Sequence, residues 1–203
     1  MNDQPVMLVL LIVAGLYVMN LWRHDYRAQL AGQPHPRAMP GATPAPLRAN
    51  LIAAAGALLL LTAETWGEIR LGLSEQQSKI TGLFAAYTLI AAFVEELMFR
   101  VFIVIEGRGN ALRWAGVVGA SVVFAALHPF LWQWESDAFT WTLTAKGWFS
   151  TAVVFASSLW FYTVRFAGFN PQGSLIPCIV AHATKNLGVI IIKGASGFLV
   201  GWY

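Results

Sequence analysis

Apolar residues in this chain gather into six long runs separated by short polar stretches. The runs cover about residues 5–22, 50–66, 81–105, 114–134, 148–166 and 175–192. Runs of about 20 apolar residues match the hydrocarbon thickness of a bilayer. The pattern therefore predicts an all-α, polytopic transmembrane helical bundle of about six spans. Asp3 is the only charge before the first run, and Arg23 and Arg27 follow it. That is the reverse of a cleavable signal peptide, which begins with a basic region. Residues 34–46 hold Pro34, Pro36, Pro40, Pro44 and Pro46. Proline lacks the helix-interior donor, so this stretch is expected to be an extended, mobile linker. It divides the chain into 1–48, an N-terminal transmembrane helix with a Pro-rich cytoplasmic linker, and 49–203, the helical core. Residues 194–203 are mostly apolar and are expected to lie at the interface or re-enter.

Composition sharpens this picture. The 203 residues are 57% hydrophobic and 11% charged, against about 25% charged in a soluble domain. The net charge of +3 needs no nucleic acid to explain it. Basic residues that flank spans favour the cytoplasmic side. Arg23, Arg27, Arg37, Arg48, Arg108, Arg113 and Arg165 fall on the side of the first loop, whereas Arg70, Lys79, Lys146 and Lys193 fall on the other. The bias predicts both termini outside, and a bacterial inner (plasma) membrane suits so compact a chain. Trp66, Trp114, Trp132, Trp134 and Trp148 lie near span ends, where aromatic belts form. Cys178 is the single cysteine, which rules out an internal disulfide and a cysteine metal cluster in one chain.

The candidate chemistry interrupts the apolar runs. Glu95, Glu96 and Arg100 sit within the third run. Each charge near a helix centre costs at least about 2.5 kcal/mol, so such groups are functional by default. Glu96 and Arg100 are spaced i, i+4 with the acid first, the favourable order for an ion pair. Glu95 is rotated by about 100° and is less well compensated. The cluster can serve catalysis or only fix helix packing. The fourth run carries Phe124 and, one turn later, His128, expected inside the helix about 21 Å along from Trp114; His128 can also be an interfacial histidine reaching water. Pro129 should bend the helix there. In the sixth run His182 and Asn186 share a face bordered by Lys185. They can tie helices together or aim two donors at one oxygen.

Glu95-Glu96-x-x-x-Arg100, Phe124-x-x-x-His128 and His182-x-x-x-Asn186, each on its own helix and in this order, resemble the CPBP family of intramembrane proteases. That family includes the CAAX prenyl proteases and the bacteriocin-processing and immunity (Abi) proteins. The likeness covers about residues 81–192. It implies an intramembrane endopeptidase that hydrolyses a membrane-presented protein or peptide. By resemblance Glu95 and His128 activate the water, and His182 and Asn186 stabilise the oxyanion. Glu96, Arg100 and Phe124 then support the site or contact substrate. No cofactor is expected. Glu95, His128 and His182 are the alternative zinc ligands, but no His-Glu-x-x-His helix motif is present and the metal-free glutamic mechanism is preferred. The expected partners are the substrate and the lipid bilayer. Two competing functions remain: a non-catalytic membrane scaffold or immunity protein on the same fold, and a proton-coupled transporter, although no repeat halves of the usual transporter build are visible.

Overall fold

The computed structural model describes residues 4–135 and 138–203. Six long helices dominate it: α1 (Pro5–Leu30), α2 (Leu47–Arg70), α3 (Gly82–Leu97), α4 (Asn110–Leu127), α5 (Ala145–Phe166) and α6 (Ile176–Ala195). A π turn, Met98–Phe102, extends α3, and a two-stranded hairpin, β1 (Trp132–Glu135) and β2 (Ala138–Trp141), joins α4 to α5. The fold is the expected all-α bundle. Five helices are long and apolar enough to cross a membrane: α1, α2, Gly82–Phe102, α4 and α6. At 22 residues, α5 is equally long, but it carries Ser150, Ser157, Ser158, Tyr162 and Arg165, all buried against its neighbours. It is an inner helix that touches α2, α4, α6 and the π turn.

Small residues allow the close approach of these helices, since without a hydrophobic drive between them packing decides association. Ala49, Ala53 and Ala57 form a buried stripe on α2, the helix that packs most extensively on α6. Gly56 receives the ring of Trp160, whose indole donates to the Ala53 carbonyl at 3.1 Å. One core cluster joins Trp22, Phe93, Leu97, Phe161, Leu175 and Cys178. A second joins Phe99, Val117, Ala120, Phe124 and Tyr162. His182 touches both, through Phe161 of the first and Phe124 of the second.

Two helix ends depart from the sequence reading. The fourth helix stops at Leu127 rather than 134, and His128 is its C-cap with φ −79° and ψ 123°. Pro129 is the cause, because a residue before proline is driven out of the helical region. His128 is therefore at a helix end, not inside a span. The aromatic run after it forms the hairpin instead of helix. The third helix also ends early: after Leu97 the backbone widens into the π turn, closed by Ile103 N–H donating to Met98 O at 3.0 Å. Tyr162 Oη–H donates to Phe99 O at 2.6 Å and is 3.1 Å from Ile103 O, and Arg165 Nε–H donates to Arg100 O at 3.2 Å. These side chains satisfy carbonyls that the distortion frees, as a π bulge requires.

The Pro-rich stretch lacks helix, as its prolines demand, but it is tied down rather than mobile. Met39 N–H donates to Asp25 Oδ2 at 2.9 Å, Leu175 N–H donates to Gly41 O at 2.9 Å and Ser174 Oγ–H donates to Thr43 O at 2.5 Å. Ala42 is buried. The C-terminal residues lie across the start of α3: Val200 N–H donates to Ile80 O at 2.8 Å, and Leu83 N–H to Trp202 O at 2.8 Å. They supply acceptors for donors that a helix start leaves orphaned.

Gly56→Val tests the α2–α5 contact. The added methyls meet Trp160, so overpacking of about 1–3 kcal/mol should lower the thermal unfolding midpoint in detergent. An unchanged midpoint would show that the helices do not approach there.

Candidate active site

Glu96 and Arg100 organise the cluster. Arg100 Nε lies 3.2 Å from Glu96 Oε2, and both side chains have 0% exposure. The contact is an ion pair whose angle falls outside hydrogen-bond geometry. Arg100 Nη2–H donates to Ser158 Oγ at 2.9 Å, and Ser158 Oγ–H donates to Ser121 Oγ at 3.0 Å. Aromatic rings enclose the guanidinium, with Phe124 centred 4.7 Å and Tyr162 4.8 Å from it. A buried charge pair persists only when such extra partners offset desolvation. The π turn presents Arg100 to both α4 and α5.

His182 lies on the other side of Glu96. Its Nδ1 is 2.8 Å from Glu96 Oε1, and its Nε2 is 3.7 Å from Glu95 Oε2. A carboxylate is acceptor-only, so Nδ1 carries the hydrogen. Nε2 is then free to face Glu95. The ring stacks on Phe161 at 4.8 Å and meets the edge of Phe124 at 6.2 Å. Glu95 is 33% exposed while Glu96 is fully buried. Two adjacent carboxylates thus occupy different settings, one locked between Arg100 and His182 and one open.

His128 stands at the end of α4, within electrostatic range of Glu95, His182 and Lys185. Its Nδ1 is 2.8 Å from Phe124 O. A carbonyl cannot donate, so Nδ1 holds the hydrogen and Nε2 is an acceptor. Phe124 packs on the same ring at 4.8 Å. Asn186 Nδ2–H donates to Thr88 O at 3.0 Å, which joins α6 to α3 and leaves its second N–H for other use. The seven candidate residues therefore fall on α3 and its π turn, on α4 and its C-cap, and on α6, around one region. Glu96 touches Arg100 and His182, Phe124 packs on both Arg100 and His182, and Glu95 faces His182; His128 reaches the group through Phe124, and Asn186 through α3.

Glu64, Ser121, Ser158 and Tyr162 were not singled out from the sequence. Glu64 Oε2 accepts from Lys185 Nζ–H at 2.8 Å, so the lysine that borders the His182 face is held by α2. Ser121, Ser158 and Tyr162 complete the cradle of Arg100. A cavity of about 140 Å³ between α2, α5 and α6 is lined by Glu64, Glu68, Phe130, Lys146, Val189 and Lys193, among others. Lys146 pairs with Glu68 there. The cavity borders the cluster at two points, through Glu64 to Lys185 and through Phe130, which stacks on His128. Glu64 lies near the expected end of its span and gave no signal as an internal group. The serines and Tyr162 are neutral and carry no motif.

With Nδ1 held by Glu96, Nε2 is the open ring nitrogen of His182, the arrangement a metal-ligating histidine also uses. Among the described residues no group of three or more His, Cys, Asp or Glu is arranged to hold a metal ion. Cys178 is buried and free, and Cys178 Sγ contacts Phe161 O at 3.4 Å.

Arg100→Met should strand Glu96 and cost about 3–5 kcal/mol, the penalty of breaking a buried pair. The double variant Glu96→Gln/Arg100→Met removes both charges and should recover a large part of it. Thermal unfolding in detergent reads the difference. A double variant less stable than Arg100→Met would contradict the pairing.

Residues 77–188 match the family model described as type II CAAX prenyl endopeptidase Rce1-like. No curated protein and no solved structure matches the chain. The family match spans more than half of the sequence and includes every residue of the cluster. With its membrane-spanning helices, this is an integral membrane protein, and it belongs to the Rce1-like type II CAAX prenyl endopeptidase family.

Proposed function

We propose that the chain is a metal-free intramembrane endopeptidase in which Glu95 is the general base. The observation that carries the reading is the contrast between neighbouring carboxylates: Glu96 is locked by Arg100 and His182, while Glu95 remains partly open and faces His182 Nε2 at 3.7 Å. A base must reach its water and have no stronger partner. Glu95 meets both conditions and Glu96 neither.

In this mechanism a water bound between Glu95 and the acceptor Nε2 of His128 loses a proton to Glu95. Its oxygen attacks the carbonyl carbon of the scissile peptide bond. His182 acts in this step as the imidazolium, with Nδ1–H held by Glu96, so that its Nε2–H and the second N–H of Asn186 are aimed at the oxyanion that forms. Fixed donors of this kind stabilise a developing charge more than mobile water does. The C–N bond then breaks, and the proton held by Glu95 passes to the leaving amine. Glu96, Arg100 and Phe124 position His182 and His128. Exclusion of bulk water by Phe124, Phe161 and the buried ion pair strengthens each electrostatic term.

The substrate is a peptide or protein presented at or within the bilayer. A bacterial inner membrane with both termini outside is the placement that the arginine-rich loops on the side of residues 31–46 favour. A C-terminal alkaline phosphatase fusion should then be active and a C-terminal green fluorescent protein fusion dark in a bacterial host. The reverse pair would invert the topology.

Glu95→Gln is the direct test. The variant should fold with an unchanged midpoint and lose at least about 100-fold in turnover, the scale of general base catalysis. Candidate membrane-presented peptides in liposomes, with products read by mass spectrometry, supply the assay. Wild-type cleavage should persist with chelator. Cleavage that chelator abolishes would return the zinc mechanism. Absence of any cleavage, with a cellular phenotype indifferent to Glu95→Gln, would favour the scaffold, and loss of proton-driven flux without a shortened peptide would favour the transporter.

A further inference from the structure

The β1–β2 hairpin carries chemistry that hydrolysis does not use. Its register pairs Trp132 with Trp141 and Trp134 with Phe139. Side chains alternate along a strand, and directly opposed residues share a face. All four aromatic residues therefore lie on one side of the ribbon. Gln133, Thr140 and Ala138 lie on the other. The rings form one continuous surface: Trp132 and Phe139 are 5.9 Å apart, Trp134 and Phe139 5.7 Å, Phe139 and Trp141 5.0 Å. Trp132 is half-buried, and the other three rings are turned away from the bundle. Trp134 and Trp141 are each 67% exposed and Phe139 is 45% exposed.

A two-stranded ribbon is marginal by itself, yet this one is fixed to the bundle. Trp132 Nε1–H donates to Ala126 O in the last turn of α4 at 2.7 Å, and Thr142 N–H donates to Leu131 O at 2.8 Å. The hairpin thus begins five residues beyond the last residue of a membrane span, which places it at the level where that span leaves the hydrocarbon. Other exposed aromatics occupy the same end of the molecule: Trp66 near the end of α2, Trp148 near the start of α5, and Trp202 and Tyr203. The C-terminal pair is fixed to that end by the pairing with Ile80 and the start of α3.

We propose that the hairpin is an interfacial membrane anchor. Its aromatic face docks into the headgroup–acyl boundary of the leaflet on the side of the C-terminus, and its Gln133–Thr140 face stays toward water. Three observations select lipid as the occupant. The face lies at the same end of the molecule as the exposed Trp66, Trp148, Trp202 and Tyr203. Its composition is dominated by Trp, which prefers that boundary because an apolar ring and a polar N–H are satisfied together. The attachment to α4 sets its depth. The inference is independent of the reaction. It has a consequence for the site nonetheless, since only Pro129, Phe130 and Leu131 separate His128 from β1.

Spin labels distinguish the two faces. Trp134→Cys, Trp141→Cys and Ala138→Cys are made singly in the full chain, labelled with a nitroxide and placed in phosphatidylcholine–phosphatidylglycerol liposomes. Cys178, buried and unlabelled, supplies the background. Helical circular dichroism verifies that each variant is folded. Collisional accessibility to oxygen, which concentrates in lipid, is compared with that to a water-soluble nickel chelate. Labels at 134 and 141 should favour oxygen and the label at 138 the nickel chelate. Nickel accessibility at all three sites would overturn the proposal, because the rings would then be in water. Labels at 134 and 141 shielded from both reagents would overturn it in favour of a protein partner. Phe139→Cys gives an independent reading of the same face should either tryptophan variant fail to fold.

Discussion

The ion pair between Glu96 and Arg100 constrains everything around it. Two unit charges at 0% exposure in the middle of an apolar bundle are stable only if every neighbour contributes. The polarity of α5 follows from this need, because Ser158 and Tyr162 face Arg100 and displace apolar residues that would otherwise make α5 an ordinary span. Ser121 on α4 completes the chain of hydroxyls. On its far side Glu96 receives His182 Nδ1–H and thereby fixes the ring that faces Glu95. The pair orients the histidine from α6 with respect to the open carboxylate on α3. Unpaired polar groups are costly in a low-dielectric setting, and side chains from α4, α5 and α6 gather around this one pair, with Arg100 Nη1 left without a hydrogen bond.

Local irregularity at two helix ends places the site. The π turn at Met98–Phe102 turns Arg100 toward α5 and exposes carbonyls that accept from Tyr162 Oη–H and Arg165 Nε–H. Pro129 ends α4 at Leu127 and leaves His128 outside the helix, free to turn toward Glu95 and His182. Regular helices through both positions would point these side chains elsewhere. Breaks in local rules concentrate at functional sites because the surrounding packing can support them.

Much of this was legible in the sequence. The i, i+4 spacing of Glu96 and Arg100 anticipates their pairing, and the rotation of Glu95 by one residue anticipates its looser setting. Run length was enough to expect the helical bundle, and the ordered motifs were enough to expect the family. Other features depend on tertiary context. The apolar run from Trp114 to Trp134 reads as one helix, and only the preference that Pro129 imposes on His128 divides it. Hydropathy does not separate a Trp-rich ribbon from a Trp-rich helix end. The proline stretch looks mobile because its anchors, Asp25, Ser174 and Leu175, are remote or unremarkable in sequence. The bond between Glu96 and His182 joins residues 86 positions apart, and no local pattern encodes it.

The central claim is that Glu96, Arg100 and His182 act as one unit that serves Glu95. A double-mutant cycle on peptide hydrolysis in liposomes tests it most directly, with Glu96→Gln, His182→Gln and the two combined. Residues that act as a unit lose most of their effect at the first substitution. The account predicts that the double variant is no slower than the slower single variant. Losses that multiply would show that Glu96 and His182 act independently, and would contradict it.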